Sequence, residues 1–222
     1  MRTAILIPVL DEADALPVVL GEIPREYRVI VCDNGSIDSS PAIARSLGAE
    51  VVFWPYRGYG GAVLRGLREL EASPPEIVVV LDGDHSSSID DLPALLAPIL
   101  SGDADFVVGE RITRGAAGAL TPQQRYGNAL ACRLIKARTG FTYQDMGPLR
   151  AIRWGAIVSL EMEDLTWGWN VEMQMKAVKR GLRIREVPVE NRSRIGTSKI
   201  SGTLRGVARA GAKILWACWK YR

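Results

Sequence analysis

Apolar residues in the first half of the chain fall into short, largely β-branched runs. Residues 4–9, 28–32, 50–54, 77–81 and 105–108 read as strands. The segments between them read as helices: residues 13–22, a segment opened by Ser40-Pro41 and closed by Gly48, a segment from Gly61 to about Glu71, and residues 92–100. Ser40 suits a cap and Pro41 a first turn, whereas Pro17 demands a helix start nearby or a kink. Residues 58–61 are expected as a glycine loop. This strand–helix rhythm predicts an α/β fold with a mostly parallel, doubly wound sheet. The second half changes character. Residues 123–138 and 170–179 read as helices closed by Gly140 and Gly181, and residues 184–189 as a lone strand with alternating side chains. A basic loop over 190–199 leads into a last helix over about 201–219. No repeat, linker or low-complexity tract interrupts the chain, which favours a single domain over 1–222.

Composition narrows the class. Of 222 residues, 47% are apolar and 24% charged, an ordinary globular balance with enough chain for a sizeable core. The three cysteines, Cys32, Cys132 and Cys218, are scattered and form no CxxC pair, so neither a disulfide framework nor a zinc site is expected and a reducing compartment fits. No apolar run approaches the roughly 20 residues needed to span a bilayer, and the apolar start is too short for a signal-peptide core. The net charge of +3 hides an asymmetry: Lys176 to Arg222 holds 13 basic and 2 acidic residues, the remainder 15 and 23. A basic tail on an acidic body suits phosphates, nucleic acid or an anionic membrane.

The chemistry-bearing residues cluster after strands. Asp82 and Asp84 follow the fourth strand, separated by one glycine. Ligands of open α/β sheets sit beyond the carboxyl ends of strands, and two carboxylates plus substrate phosphates suit Mg²⁺ or Mn²⁺. An ordinary Asp-Gly turn explains the pair equally well. Pro8-Val-Leu-Asp-Glu12 and Asp33-Asn-Gly-Ser36 end two other strands, so three acid-bearing turns would share one rim. Gly58-Tyr-Gly-Gly61 precedes a helix carrying Arg65; its amides suit a phosphate, and close backbone packing suits it as well. It matches neither a Walker motif nor GxGxxG. Arg111, Arg125 and Asn128 follow the fifth strand, then Asp145 and Arg150, then Glu172 after the aromatic pair Trp167 and Trp169. Arg192, Arg194, Ser198 and Lys199 place two guanidiniums, a hydroxyl and an ammonium in one glycine-containing loop, a phosphate-binding composition. His85, the sole histidine, reads as a solvated loop residue. In the last helix Arg205, Arg209, Lys213 and Lys220 stripe one face, with Trp216 and Trp219 near its end. That pattern fits a membrane interface, or a helix packed on the domain.

The ordered set of motifs resembles glycosyltransferase family 2. The set is Ile7-Pro-Val-Leu-Asp-Glu12, Val31-Cys-Asp-Asn-Gly-Ser-Ile-Asp38, Gly58-Tyr-Gly-Gly-Ala-Val-Leu-Arg-Gly66, Leu81-Asp-Gly-Asp84, Gly109-Glu-Arg111, Gln124-Arg-Tyr-Gly-Asn128, Asp145-Met-Gly-Pro-Leu-Arg150, Gly168-Trp-Asn-Val-Glu-Met173 and Gly196-Thr-Ser-Lys-Ile-Ser-Gly202. Within the family it is similar to the polyprenyl (dolichyl)-phosphate hexosyltransferase branch. The resemblance implies a GT-A type fold. Residues 1–110 would bind a nucleotide sugar, 111–200 would serve the acceptor, and 201–222 would form an amphipathic basic helix. It implies an inverting transfer of a hexose, UDP-glucose first, to a polyprenyl phosphate. The alternatives are a GDP-mannose or hydroxyl-acceptor enzyme, or a non-catalytic membrane adaptor. Pro8, Leu10, Glu12 and Asp33 would frame the base, joined by Gly61 and Arg65 at the donor. Asp82 and Asp84 would hold ribose and metal. Arg111, Arg125, Arg192, Arg194, Ser198 and Lys199 would serve the phosphates. For a hydroxyl acceptor, Asp145 or Glu172 would be the base. The implied partners are a nucleotide sugar, a lipid acceptor and an anionic membrane surface, without nucleic acid; the implied location is the cytoplasmic face of the membrane. Two departures stand out: Asp11 replaces the family's usual Asn, and Ser86-Ser-Ser88 follows the acid pair where relatives often carry Gln or an acid.

Overall fold

The first apolar run forms strand β1 (Thr3–Val9), and its pleat divides two cores. Ala4 and Leu6 enter one, Ile5, Ile7 and Val9 the other, as alternation along a strand buried on both faces requires. The computed structural model describes residues 2–112, 120–196, 213 and 215–221. Helix α1 (Leu16–Glu22), β2 (Arg28–Asp33), α2 (Ser40–Ser46), β3 (Glu50–Phe53), α3 (Tyr59–Leu70) and β4 (Ile77–Val80) follow in order. Then come α4 (Leu92–Leu100), β5 (Phe106–Ile112), α5 (Pro122–Thr139), β6 (Arg150–Arg153), α6 (Trp154–Ser159), α7 (Trp169–Lys179) and β7 (Ile184–Glu190). Lys213 and residues 215–220 are helical and are called α8.

The seven strands lie in the order β3-β2-β1-β4-β6-β5-β7. All pairings are parallel except those of β6, which runs antiparallel between β4 and β5. The carboxyl ends of the other six strands therefore share one rim. Apolar residues of α1, α2 and α4 cover one face of the sheet; those of α3, α5, α6, α7 and α8 cover the other. The expected parallel, doubly wound sheet is present.

Three local details differ from expectation. Strand β6 and helix α6 escape the sequence pattern because β6 is only four residues long and bounded by two arginines. Residues 58–61 are not a loop: α3 begins at Tyr59, and both following glycines lie in its first turn. Ser40 does not cap α2, since Ser39 holds the cap position; the Ser40 hydroxyl accepts from the Glu12 amide at 2.9 Å and ties β2's exit to β1's. Elsewhere the end signals hold. Thr121 and Gln124 close a capping box on α5, and Gly140 ends that helix at φ 77°. Ser198, Lys199 and residues 201–212 of the expected terminal helix lie outside the described residues.

Candidate active site

Strands β1, β2 and β4 end side by side, so Glu12, Asp33, Asp82 and Asp84 converge on the rim. The glycine between the two aspartates is needed for room. A Cβ on Gly83 would lie 2.9 Å from Val9 Cγ2 and 3.3 Å from Ile7 Cγ2. The acid pair is thereby pressed against the end of β1. Asp84 accepts from the Ser86 amide at 2.9 Å. Asp82 accepts from the Tyr59 hydroxyl at 3.3 Å. Burial, then the neighbouring Asp84 charge, pushes the Asp82 carboxyl up to about 7, against the opposing pull of Tyr59, Arg150 and Arg111. Two oxygen-only ligands with excess negative charge fit a hard divalent cation, which relieves that repulsion. Among the described residues, no cluster of three or more His, Cys, Asp or Glu side chains forms a ready metal cage.

A basic loop lies directly over this pair. The Arg192 amide donates to the Ser86 carbonyl at 2.8 Å and the Ile195 amide to the Asp84 carbonyl at 2.9 Å. Ser87 and Asn191 form an antiparallel bridge. The serine run after the acids thus anchors the loop through its backbone. Arg194 is consequently held 3.2 Å from Glu12 and 3.3 Å from Asp84. Arg192 differs from expectation. Its guanidinium lies among Glu22, Asp90 and Glu190, beside His85, so acids already compensate it. His85 itself pairs with Glu22 at 3.1 Å, as a loop histidine rather than part of the acid pair.

The other rim residues divide. Asp33 accepts from the Ser36 amide, and Asn34 from the Gly58 amide at 2.8 Å, which fixes the β2 turn against the start of α3. Asp11 sits at φ 53°, a left-handed conformation that Asp and Asn both tolerate, so the departure from Asn keeps the backbone need. Leu10 and Pro8 stand at the end of β1 as expected. Arg125 is exposed on the first turn of α5, one turn before Asn128, whose Oδ1 accepts from the Met146 amide.

Four candidates are corrected. The amides of Gly60 and Gly61 donate to the carbonyls of Thr166 and Leu165, and a Cβ on Gly61 would run into the Trp54 ring. The glycines serve close packing, and Gly61 presents no free amide to a phosphate. Arg65 lies almost two turns along α3 and pairs with Glu69 at 2.9 Å. Asp145 is not a free base, because it grips Arg111 with both oxygens at 2.7 Å and accepts from the Arg111 and Met146 amides. Glu172 is fully buried; it binds the Glu163 and Asp164 amides and Lys176 at 2.7 Å, which holds the 163–166 turn that seals α3.

Two residues of the motifs carry roles that the sequence does not assign. Tyr59 stands inside a quoted glycine motif, and a tyrosine among helix-start glycines was its only signal. Arg150 is fully buried and donates to the carbonyls of Gly147, Met146 and Asn170. Its charge acts on Tyr59 and Asp82 from below, with burial holding its own pKa down. Its hydrogen bonds to oxygen go to backbone carbonyls, which leave no sequence signature, and Asp82 and Asp145 act on it only electrostatically.

The raised pKa of Asp82 gives the first expected result. The unfolded carboxyl ionises near 3.8, the folded one near 7, so folding takes up a proton between those values. The native state therefore loses stability as pH rises from about 4 to about 7. Asp82→Asn should melt higher than wild type above pH 7, by about 2–4 °C for each kcal/mol of relieved penalty. The gap should close toward pH 4. Thermal melts across that range check it; an equal gap at every pH contradicts it.

A mostly parallel sheet with paired aspartates at its rim, crossed by an arginine-bearing loop, is the architecture of a GT-A type glycosyltransferase. The chain belongs to glycosyl transferase family 2, whose model matches residues 4–156. An uncharacterized glycosyltransferase of Mycobacterium tuberculosis is 38% identical over 204 residues, covering 91% of each chain. A dolichyl-phosphate hexose transferase of Haloferax volcanii is 33% identical, covering 99% of this chain and 95% of its own. An undecaprenyl-phosphate mannosyltransferase of Micrococcus luteus is 31% identical, covering 94% and 91%. Among solved structures, glucosyl-3-phosphoglycerate synthase of M. tuberculosis, in complex with Mn²⁺, UDP and glucosyl-3-phosphoglycerate, superposes with a TM-score of 0.79. It is 22% identical, covering 99% of this chain and 79% of its own, and supports the fold.

Proposed function

We propose that this chain is an inverting hexosyltransferase that moves a sugar from a nucleotide sugar, UDP-glucose first, to a polyprenyl phosphate. The observation that carries the reading is Arg194, held over the Asp82–Asp84 pair by the loop that leaves β7. Glu12 and Asp33 would face the nucleoside. Asp82 and Asp84 would hold Mg²⁺ or Mn²⁺, which when bound supplies positive charge to the diphosphate. Arg194 is placed to share that charge, and Arg111, locked by Asp145, lies near enough to act electrostatically on Asp82. Ser198 and Lys199, which follow in the sequence, would join Arg194 on the phosphates, and Arg125 would meet the acceptor.

In the reaction an acceptor phosphate oxygen bonds to the anomeric carbon while the bond from that carbon to the diphosphate breaks. The electron pair leaves on the nucleoside diphosphate. A phosphate acceptor is already an anion and needs no base, so positioning and charge stabilisation suffice. That fits a rim where Asp145 and Glu172 are both engaged in holding structure. The relatives named as dolichyl-phosphate hexose and undecaprenyl-phosphate mannosyl transferases support a lipid-phosphate acceptor. The second makes mannose the next sugar to test.

The test is a panel of UDP- and GDP-sugars with polyprenyl phosphate in detergent, read by mass analysis of the lipid, with and without EDTA. Product from one donor, lost with EDTA, is expected. No lipid product from any donor, with activity on a hydroxyl acceptor, overturns the reading. Arg194→Gln should reduce kcat by about 10²-fold, as for loss of a charge-stabilising donor.

A further inference from the structure

Two arginines act on the rim acids, and they are held in opposite ways. Arg111 meets both oxygens of Asp145 at 2.7 Å, a bidentate pair with short bonds. Arg194 is engaged through a single nitrogen. Its Nη2 alone lies 3.2 Å from Glu12 Oε1 and 3.3 Å from Asp84 Oδ2, longer than a good charge-assisted hydrogen bond. Its Nε is buried with no hydrogen-bond partner. The side chain is 31% exposed, so one side of it opens to solvent. A guanidinium held by one nitrogen with a second donor left over is loosely placed. A phosphate can take both nitrogens at once.

The loop itself is held by other groups. The Arg192 and Ile195 amides and the Ser87–Asn191 bridge tie its backbone to the turn after the acids. The Arg192 side chain adds a clamp among Glu22, Asp90 and Glu190. Withdrawal of Arg194 therefore needs rotation about its own side-chain bonds and no movement of the loop. Both oxygens of Asp84 are engaged, Oδ1 by the Ser86 amide and Oδ2 by Arg194. The amide belongs to the turn that shapes the site. Arg194 is the partner that must leave before Oδ2 can serve a divalent cation, because two cations at one oxygen repel. The same withdrawal uncovers Glu12 on the nucleoside side.

We propose that Arg194 is a built-in counterion of the donor site. It covers Asp84 and Glu12, competes with the divalent cation for Asp84 Oδ2, and turns to the diphosphate when metal and nucleotide enter together. The inference rests on the reading of Asp82 and Asp84 as metal ligands and deepens it with a sign of its own: the arginine that assists the diphosphate opposes the metal alone.

The experiment measures Mn²⁺ uptake by the full chain and its Arg194→Gln variant, from the loss of the free-ion electron paramagnetic resonance signal, with and without UDP. Mn²⁺ alone should bind the variant about tenfold more tightly than wild type, within the roughly 5- to 150-fold range usual for coupling between ligands of one protein. Adding UDP should tighten Mn²⁺ more in wild type than in the variant. Arg194→Lys, which keeps the charge, should bind Mn²⁺ alone like wild type. The variants should melt close to wild type, because the backbone contacts and Arg192 anchor the loop; Arg194→Met repeats the neutral comparison should Arg194→Gln not fold. Equal or weaker Mn²⁺ binding by a folded neutral variant overturns the counterion and leaves the transferase reading standing. Wild type that takes up no Mn²⁺ with UDP present overturns the metal reading of the acid pair, and the counterion with it. Tighter binding by the neutral variant, without lipid product from any donor with wild type, keeps the counterion and overturns the transferase reading.

Discussion

Asp84→Asn is expected to abolish hexose transfer in practice, with kcat down by about 10²–10³. The amide keeps the shape of the carboxylate and can still accept from the Ser86 amide, so the turn should persist. The charge does not survive. Arg194 keeps Glu12 but loses the partner at 3.3 Å that draws it over the acid pair. A divalent cation would be left with Asp82 alone among the two rim carboxylates. Both changes strip positive charge from the position where a diphosphate leaves. The measurement is donor turnover alongside a thermal melt. A variant that melts like wild type and turns over like wild type would remove Asp84 from the site.

The largest loss of stability is expected at Asp145. Asp145→Ala leaves the largely buried Arg111 guanidinium without its two bonds and orphans the Arg111 amide, while the Met146 amide keeps Asn128. Breaking a buried pair from one side costs about 3–5 kcal/mol. For a chain of this size that is a fall of about 6–20 °C in melting temperature. Asp145→Asn should be intermediate, because one oxygen still accepts while the pair loses its charge. A catalytic base behaves in the opposite way: Asn would eliminate turnover and leave the melt unchanged. Melting and turnover of the two variants side by side therefore distinguish a positioning carboxylate from a base.

Much of the architecture is legible in the chain because its causes are local. Buried parallel strands must be continuously apolar, so β1, β2 and β4 announce themselves as runs, and the acids after them mark the rim. Gly140 and Gly181 mark helix ends because a positive φ favours glycine. The order of these motifs was enough to indicate the family. What depends on distant partners was not legible. Strand β6 is made a strand by the gap between β4 and β5, and nothing in four residues bounded by arginines foretells it. The same glycines that suit a phosphate suit close packing; the carbonyls of Leu165 and Thr166, about a hundred residues away in sequence, decide for packing. Asp145 and Glu172 read as possible bases until their neighbours are seen. A carboxylate's role rests on whether its oxygens are already taken: Asp145's by Arg111 of a distant strand, Glu172's by the turn that precedes its helix and by Lys176 one turn on. The sequence by itself determined where acids and cations stand along the chain and which strands bring them to one rim. Only the tertiary structure decided which charges face each other there, because pair geometry and burial, not residue type, set the energy of a charge.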